Sequence, residues 1–288
     1  MQQESGRQDL SVTLIHLIWV PYGIELFVQF IKAYKKFTAG YTHEVLLIFN
    51  GVKRSEEIEP YLEHAEQNNI RFSRMIFEKG QDINCYFEAA STITTEYMIF
   101  LNSFSVIVAD NWLKKYVDNF CDPAIGIIGA TASCQSYYSS VFQTHSFKWE
   151  REKGFSYNYR KYKLFVKAFV YWRFLFASFP NPHIRTNAFM VRRKEFAEMD
   201  KGNINSKFSA YQFESGRKSM TNYYLRKKMR TLVMDKDGSV YEPAAWRNSL
   251  TFWISDQENL LVSDNQTRIY DAAGPEEKKT MTKLAWGT

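Results

Sequence analysis

The chain is poor in cysteine: Cys85, Cys121 and Cys134 are the only three in 288 residues, and they form no Cys-x-x-Cys pair. An odd, scattered set excludes a disulfide framework and a cysteine zinc site, and it fits a reducing cytoplasm. No apolar run reaches the ~18 residues that a membrane-spanning helix needs. Met1 to Asp9 is polar and lacks the apolar core of a signal peptide. These absences predict a cytoplasmic chain, soluble or peripheral at the inner face of a membrane. No Gly-x-Gly-x-x-Gly follows the first apolar run, which disfavours a nicotinamide or flavin enzyme. The net charge is +6, but no RNP, helix-turn-helix or zinc-finger pattern accompanies it. The charge therefore points away from nucleic acid and toward nucleotide diphosphates or acidic lipid headgroups.

What is present is a globular composition, 45% hydrophobic and 24% charged, long enough to bury a large core. The 17% aromatic content suits a filled core and suits sugar and nucleotide faces equally. Val12 to Val20 reads as a buried strand ended by Pro21-Tyr22-Gly23, and Ile24 to Phe37 as an amphipathic helix. His43 to Phe49 and Arg71 to Phe77 read as further strands, with a helix from Ser55 to about Asn69 between them. A helix from Gly80-Gln81-Asp82 to Ala90 leads to a strand at Tyr97–Leu101. This alternation predicts a doubly wound α/β half-domain over the first 110 residues.

Tyr97–Leu101 stops at Asn102-Ser103-Phe104-Ser105, and Ala109-Asp110-Asn111-Trp112-Leu113 then reads as a helix start capped by Asp110 or Asn111. Strand ends open a crevice in such sheets, so ligand sites are expected there. Ile125 to Ala130 is another buried strand, and Ser133 to Ser146 a polar, aromatic loop with a short helix. Residues 147–180, from Lys148-Trp149 onward, are basic and aromatic. They fit either a helix lying on a membrane surface or one packing its rings on the sheet. Pro180 and Pro182 stiffen a loop that carries His183, Arg185 and Asn187 into a strand ending at Arg192-Arg193. Glu214 stands just before a helical segment from Asn222 to Met229, with Arg217 close in sequence. Residues 231–234 read as the last strand, Trp246 and Trp253 as rings suited to sugar faces, and the polar stretch from Gly274 as a frayed end.

The order of these motifs resembles the GT-A glycosyltransferases, above all family 2, over most of residues 11–235. There a strand ends in an Asp-x-Asp metal motif, with a Trp-Leu helix shortly after. Here Trp112-Leu113 is present, and the acidic positions are held by Asn102 and by Ser103 to Ser105. The resemblance implies a GT-A-type, Rossmann-like α/β/α sandwich with a mixed central sheet. It implies a nucleotide-sugar-binding half over 1–110 and an acceptor-binding, catalytic half over 111–288, in one continuous domain. By position, Pro21, Tyr22, Asn50, Asp82, Asn102, Ser103 and Ser105 would meet the nucleotide sugar. His183, Arg185, Asn187 and Arg217 would meet the diphosphate or acceptor. Glu214 would be the base of an inverting transfer, its carboxylate kept ionised by a helix N-terminus and Arg217.

The implied donor is a nucleotide-diphosphate sugar and the implied acceptor a glycan or lipid-linked molecule, in surface polysaccharide assembly. Mn or Mg is the implied cofactor, with Asn102 and Ser105 as its weak ligands. Because such ions prefer carboxylates, the altered motif favours a metal-free mechanism. Two rivals remain open: a non-catalytic nucleotide- or glycan-binding protein on a degenerate GT-A scaffold, and a sugar-phosphate nucleotidyltransferase. The latter is disfavoured because Pro21-Tyr22-Gly23-Ile24-Glu25 lacks a Gly-rich basic loop.

Overall fold

In the computed structural model, which describes residues 10–144 and 150–287, the first apolar run forms strand β1 (Val12–Trp19). The expectations for Met1–Asp9, for Ser146 and for Lys148-Trp149 fall outside the described residues. Helix α1 (Glu25–Lys36), β2 (Glu44–Asn50), α2 (Glu59–Gln67), β3 (Ser73–Phe77), α3 (Asp82–Thr92) and β4 (Tyr97–Leu101) follow as local βα steps. β1 pairs in parallel with β2 and β4, and β2 with β3. Strands buried on both faces need near-continuous apolar sequence, as in the Tyr97–Leu101 run.

The chain continues through β5 (Val106–Ile107), α4 (Trp112–Phe120), β6 (Ile125–Gly129), β7 (Ala132–Ser133) and α5 (Tyr137–Thr144). Next come α6 (Gly154–Lys167), a π-helical turn (Ala168–Trp172) and α7 (Arg173–Leu175). β8 (His183–Ile184), β9 (Ala188–Arg192), α8 (Arg193–Ala197), α9 (Lys207–Ser215) and α10 (Met220–Arg226) carry the chain back to the sheet. It closes with β10 (Arg230–Met234), β11 (Val240–Tyr241), β12 (Val262–Ser263), α11 (Asn265–Ala272) and α12 (Pro275–Trp286).

The main sheet has eight strands in the order β11-β10-β6-β9-β4-β1-β2-β3. β9 runs antiparallel to both neighbours, β4 and β6, so the sheet is mixed and runs unbroken through both halves of the chain. One face is covered by α1, α2 and α4 through Phe27, Phe30, Tyr61, Trp112 and Phe120. The other is covered by α3, α8, α9 and α10 through Tyr86, Phe87, Phe196, Phe213 and Tyr224. The result is an α/β/α sandwich.

Parallel register aligns Trp19 with Asn50, and His16 with Leu101. The C-terminal ends of β1, β2 and β4 therefore share one edge, and the loops after them meet there. Gly51 holds φ +82° in this cluster, and a Cβ on it would stand 2.9 Å from Pro21 Cδ. Only glycine allows that turn and that approach.

Two sequence expectations are corrected here. α4 starts without a side-chain cap: Asn111 sits at its N-cap with φ 55°, and the Leu113 and Lys114 amides donate instead to the Ala39 carbonyl. Asp110 turns away and accepts from the Thr38 amide (2.8 Å). The stretch from Gly274 is not frayed: Pro275 at the first helical position and Glu276-Glu277 in the first turn start α12. Met281 and Ala285 dock that helix on Phe252 and Trp253, and Trp286 Nε1 donates to the Phe252 carbonyl (2.7 Å).

Candidate active site

A cleft of about 870 Å³ lies along the strand-end edge. Trp19, Tyr22, Gly80, Asp82, Asn102 and Phe104 line one end. Tyr137, Leu164, Trp172, Lys207 and Tyr211 line another part, and His183, Arg185, Thr186 and Glu214 complete it.

At the first end Tyr22 is exposed, its ring 5.1 Å from that of Phe104. Pro21 shapes the turn and does not line the cleft. Asn50 is fully buried at the end of β2, and its Nδ2 donates to the Gly80 carbonyl (3.0 Å), tying that strand to the loop before α3. Asn50 thus supports the cleft from behind. Asp82 opens onto the cleft, and the protein crowding its carboxyl raises its pKa. Hydrogen bonds from Asn50 and from its own backbone oppose that rise.

The Asn102–Ser105 turn is committed to itself. Asn102 Oδ1 accepts from the Phe104 amide (2.9 Å), and the Asn102 amide donates to Ser105 Oγ (3.1 Å). Ser105 is buried and donates to the Asn187 carbonyl (2.8 Å), so it turns inward and does not reach the cleft. Ser103 Oγ accepts from the Trp19 amide (2.8 Å) and donates to the Leu17 carbonyl (3.0 Å), stitching β1 to β4. The expectation that Asn102 and Ser105 hold a divalent ion is corrected on this ground. Their oxygens are neutral and already bonded, and Mn or Mg asks for free, preferably charged oxygens. Among the described residues no group of three or more His, Cys, Asp or Glu is placed to hold a metal. Asn187 is likewise buried and outside the lining: its carbonyl anchors the turn, and its Oδ1 accepts from Thr131 Oγ1 (2.8 Å).

His183 is buried but borders the cleft. Its Nδ1 faces the Asn181 carbonyl (2.8 Å), an acceptor only, so Nδ1 carries the proton and Nε2 keeps its lone pair. Burial lowers the pKa of His183, the Glu214 charge partly offsets this, and Arg185 adds to the lowering. The ring is therefore neutral at neutral pH.

Glu214 is half-buried. Its Oε2 accepts from both the Thr186 amide (2.7 Å) and Thr186 Oγ1 (2.5 Å). The sequence placed it at a helix start; the structure places it in the last turn of α9. The helix dipole therefore does not favour its charge, and the two bonds from Thr186 hold the carboxylate instead.

Arg185 stands over the Phe252 ring (4.2 Å to the centroid) and pairs with Asp264 Oδ2 (2.8 Å). That contact is an ion pair without the alignment of a hydrogen bond. Arg217, expected at the diphosphate or acceptor, lies outside the cleft, with its guanidinium bonded to the Arg173 carbonyl. The turn between α9 and α10 carries it away from Glu214. Of the two tryptophans, Trp253 borders the cleft and Trp246 is fully buried beneath the sheet.

Lys207 and the ring wall of Tyr137, Trp172 and Tyr211 escape sequence reasoning. Ser206 caps α9 through a bond from the Ser209 amide, and that cap was the one local sign that a helix starts beside Lys207. Apart from His183, the ionisable groups lining the cleft among the described residues, tyrosines aside, are Asp82 and Glu214 against Arg185 and Lys207.

No protein-family model matches the chain, and no curated sequence matches it. Solved structures do. The mannosyltransferase PcManGT from Pyrobaculum calidifontis, in complex with GDP-Man and Mn2+, superposes with a TM-score of 0.50 at 12% identity, covering 96% of this chain and 70% of that one. TarS of S. aureus overlaps at a TM-score of 0.34 and 11% identity, over 42% of this chain and 21% of its own. The bifunctional IspDF from Campylobacter jejuni overlaps at 0.40 and 12%, over 78% and 49%. At these identities the likeness is one of fold. With its mixed sheet, its strand-end cleft and an alignment to a mannosyltransferase over 96% of its own length, the chain has the fold of the GT-A glycosyltransferases.

Proposed function

We propose that the chain is a glycosyltransferase that moves a sugar from a nucleotide-diphosphate sugar to a hydroxyl of a glycan or lipid-linked acceptor, with inversion. Surface polysaccharide assembly is the setting that its resemblance to family 2 implies. The observation that carries the reading is Glu214: a carboxylate fixed on the cleft wall by two bonds to one oxygen, with Nε2 of the neutral His183 also at that wall.

The acceptor hydroxyl attacks the anomeric carbon from the face opposite the diphosphate. The new C–O bond forms as the bond to the diphosphate oxygen breaks, and Glu214 takes the hydroxyl proton. The nucleotide diphosphate leaves with its electron pair, and Lys207 and Arg185 are the cleft cations available to its charge. The Trp19–Phe104 end would hold the nucleotide, and the Tyr137–Trp172–Tyr211 wall would hold acceptor sugar by stacking. No step runs through a metal, because the Asn102–Ser105 turn does not fit one.

Glu214→Gln keeps the acceptor atom for Thr186 and removes the base. Turnover should fall by about 10²-fold or more while nucleotide binding and the unfolding midpoint hold. Near-normal turnover in the folded variant would remove Glu214 from this role. The absence of a carboxylate in the turn after β4 favours a second reading, a scaffold that binds nucleotide without turnover. It predicts binding by the natural chain, with no transfer to any acceptor.

A further inference from the structure

Nine of the fifteen large hydrophobic side chains that stay exposed among the described residues fall between positions 155 and 174. Scattered exposure needs no explanation, whereas a cluster of this kind marks a surface that something covers. The cluster is the outer face of α6, the π-helical turn and α7. The inner face of the same segment, Phe165, Ala168, Trp172 and Phe176, is buried and supplies the third core cluster. One apolar stripe therefore satisfies the fold. The outer one, Val166, Phe169, Val170, Tyr171 and Phe174 at 41–64% exposure, is surplus to it.

The charge around the outer face decides the partner. Arg160, Lys163 and Arg173 are all exposed there, and no Asp or Glu occurs from Lys153 to Lys194. Cations are interleaved with the rings: the Arg173 guanidinium stands 5.0 Å from the Phe169 centroid and 4.7 Å from that of Phe174, and Lys163 Nζ 4.6 Å from Tyr159. Rings and long basic side chains mixed on one acid-free face match the boundary between anionic headgroups and acyl chains. A second copy of this chain would bring these cations against one another. Among the described residues no helix is long and apolar enough to cross a membrane, so the contact would be with its surface.

We infer that the outer face of α6, the π-helical turn and α7 docks the chain on an anionic lipid bilayer. Leu164 and Trp172 of the same segment line the cleft, so docking sets the cleft's aromatic part beside the headgroups. This deepens the transferase reading by favouring a lipid-linked acceptor, but the lipid contact itself does not depend on any transfer.

The test is flotation of the full chain with vesicles of phosphatidylcholine alone and of phosphatidylcholine with about a quarter phosphatidylglycerol, at low and high salt, with no donor or acceptor present. The expected result is binding to the anionic vesicles, weakened by salt. It should be reduced about tenfold or more by Phe169→Ser/Phe174→Ser and likewise by Arg160→Glu/Lys163→Glu. All four side chains are exposed, and an unchanged circular dichroism spectrum and unfolding midpoint will show that the variants fold. No binding to anionic vesicles, or binding that both variants retain, overturns the inference. So does a dimer that the aromatic variant splits without any lipid binding by the natural chain. Because no substrate is used, failure here leaves the Glu214 experiment standing, and failure there leaves this one standing.

Discussion

His16 shows how a single residue can set the behaviour of the fold with pH. It is buried in β1, stacked on Phe30 with centroids 3.7 Å apart, and neither ring nitrogen has a protein partner. Burial holds its pKa at about 3, against an ordinary 6.5. Between those values the unfolded chain is protonated and the folded chain is not, so the unfolded state gains as pH falls. The stability tied to a neutral His16 is present above pH 6.5 and is lost progressively toward pH 3, up to about 5 kcal/mol. His16→Leu, of similar volume, should flatten that acid slope in denaturant titrations and leave the midpoint at pH 7 equal or higher. An unchanged slope would show that other groups govern acid unfolding. The sequence reveals His16 as part of a strand, since its neighbours are apolar. It cannot reveal that α1 closes over both nitrogens, which depends on a stacked Phe30 that only the folded helix supplies. The same limit applies to Asn102–Ser105, whose polar look marks a ligand site in the sequence and whose atoms in fact satisfy one another.

At the scale of elements, what was legible follows sequence distance. β1, β2 and β3 pair about 30 residues apart, and apolar runs and helical spacing suffice to read them and β4 as strands, although β4 reaches back about 85 residues to pair with β1. β9 was legible as a strand, but its place between β4 and β6 is decided by pairings about 60 to 95 residues long. Glu214 was found by its type and neighbourhood. Its helix was misjudged because α9, with a polar face and a short span, went unread and ends at Ser215, ahead of the segment read as the next helix. α12 carried its proline and acidic start in plain view, yet its apolar contacts with Phe252 and Trp253 are long-range.

The α11 start offers a test of how these late elements serve the cleft. Asp264 caps α11 through the Thr267 amide (2.8 Å) with one oxygen and holds Arg185 with the other. Asp264→Ala removes both and leaves the cleft arginine with Thr131 Oγ1 and the Phe252 ring, so it should cost about 3 kcal/mol. Asp264→Asn keeps the cap and loses the charge, and should cost less. Equal losses measured by chemical denaturation would mean that the ion pair, not the cap, stabilises this region.

For the whole molecule, the question is whether a GT-A fold whose post-strand turn lacks carboxylates still binds a nucleotide without metal. The sheet brings Tyr22, the Gly80 loop and Phe104 to one edge whatever occupies the turn, because strand register alone aligns them. The cleft cations Arg185 and Lys207 offer charge that a diphosphate needs and that a metal would otherwise supply. A screen of UDP, GDP, dTDP and CMP by thermal shift, each with EDTA or with Mn2+, should therefore give a stabilising shift for one nucleotide diphosphate in EDTA. At a ligand concentration of about 100 Kd, binding adds roughly 2.7 kcal/mol, which for a chain of this size raises Tm by several degrees. The responding base names the donor class. Lys207→Ala should shrink the shift without lowering the Tm of the free chain, because that side chain is exposed and, among the described residues, no salt bridge anchors it. A shift seen only with Mn2+ would mean that Asp82 or another acid gathers a metal that the Asn102–Ser105 turn does not. No shift with any nucleotide would leave the fold in place and remove the donor site proposed for it.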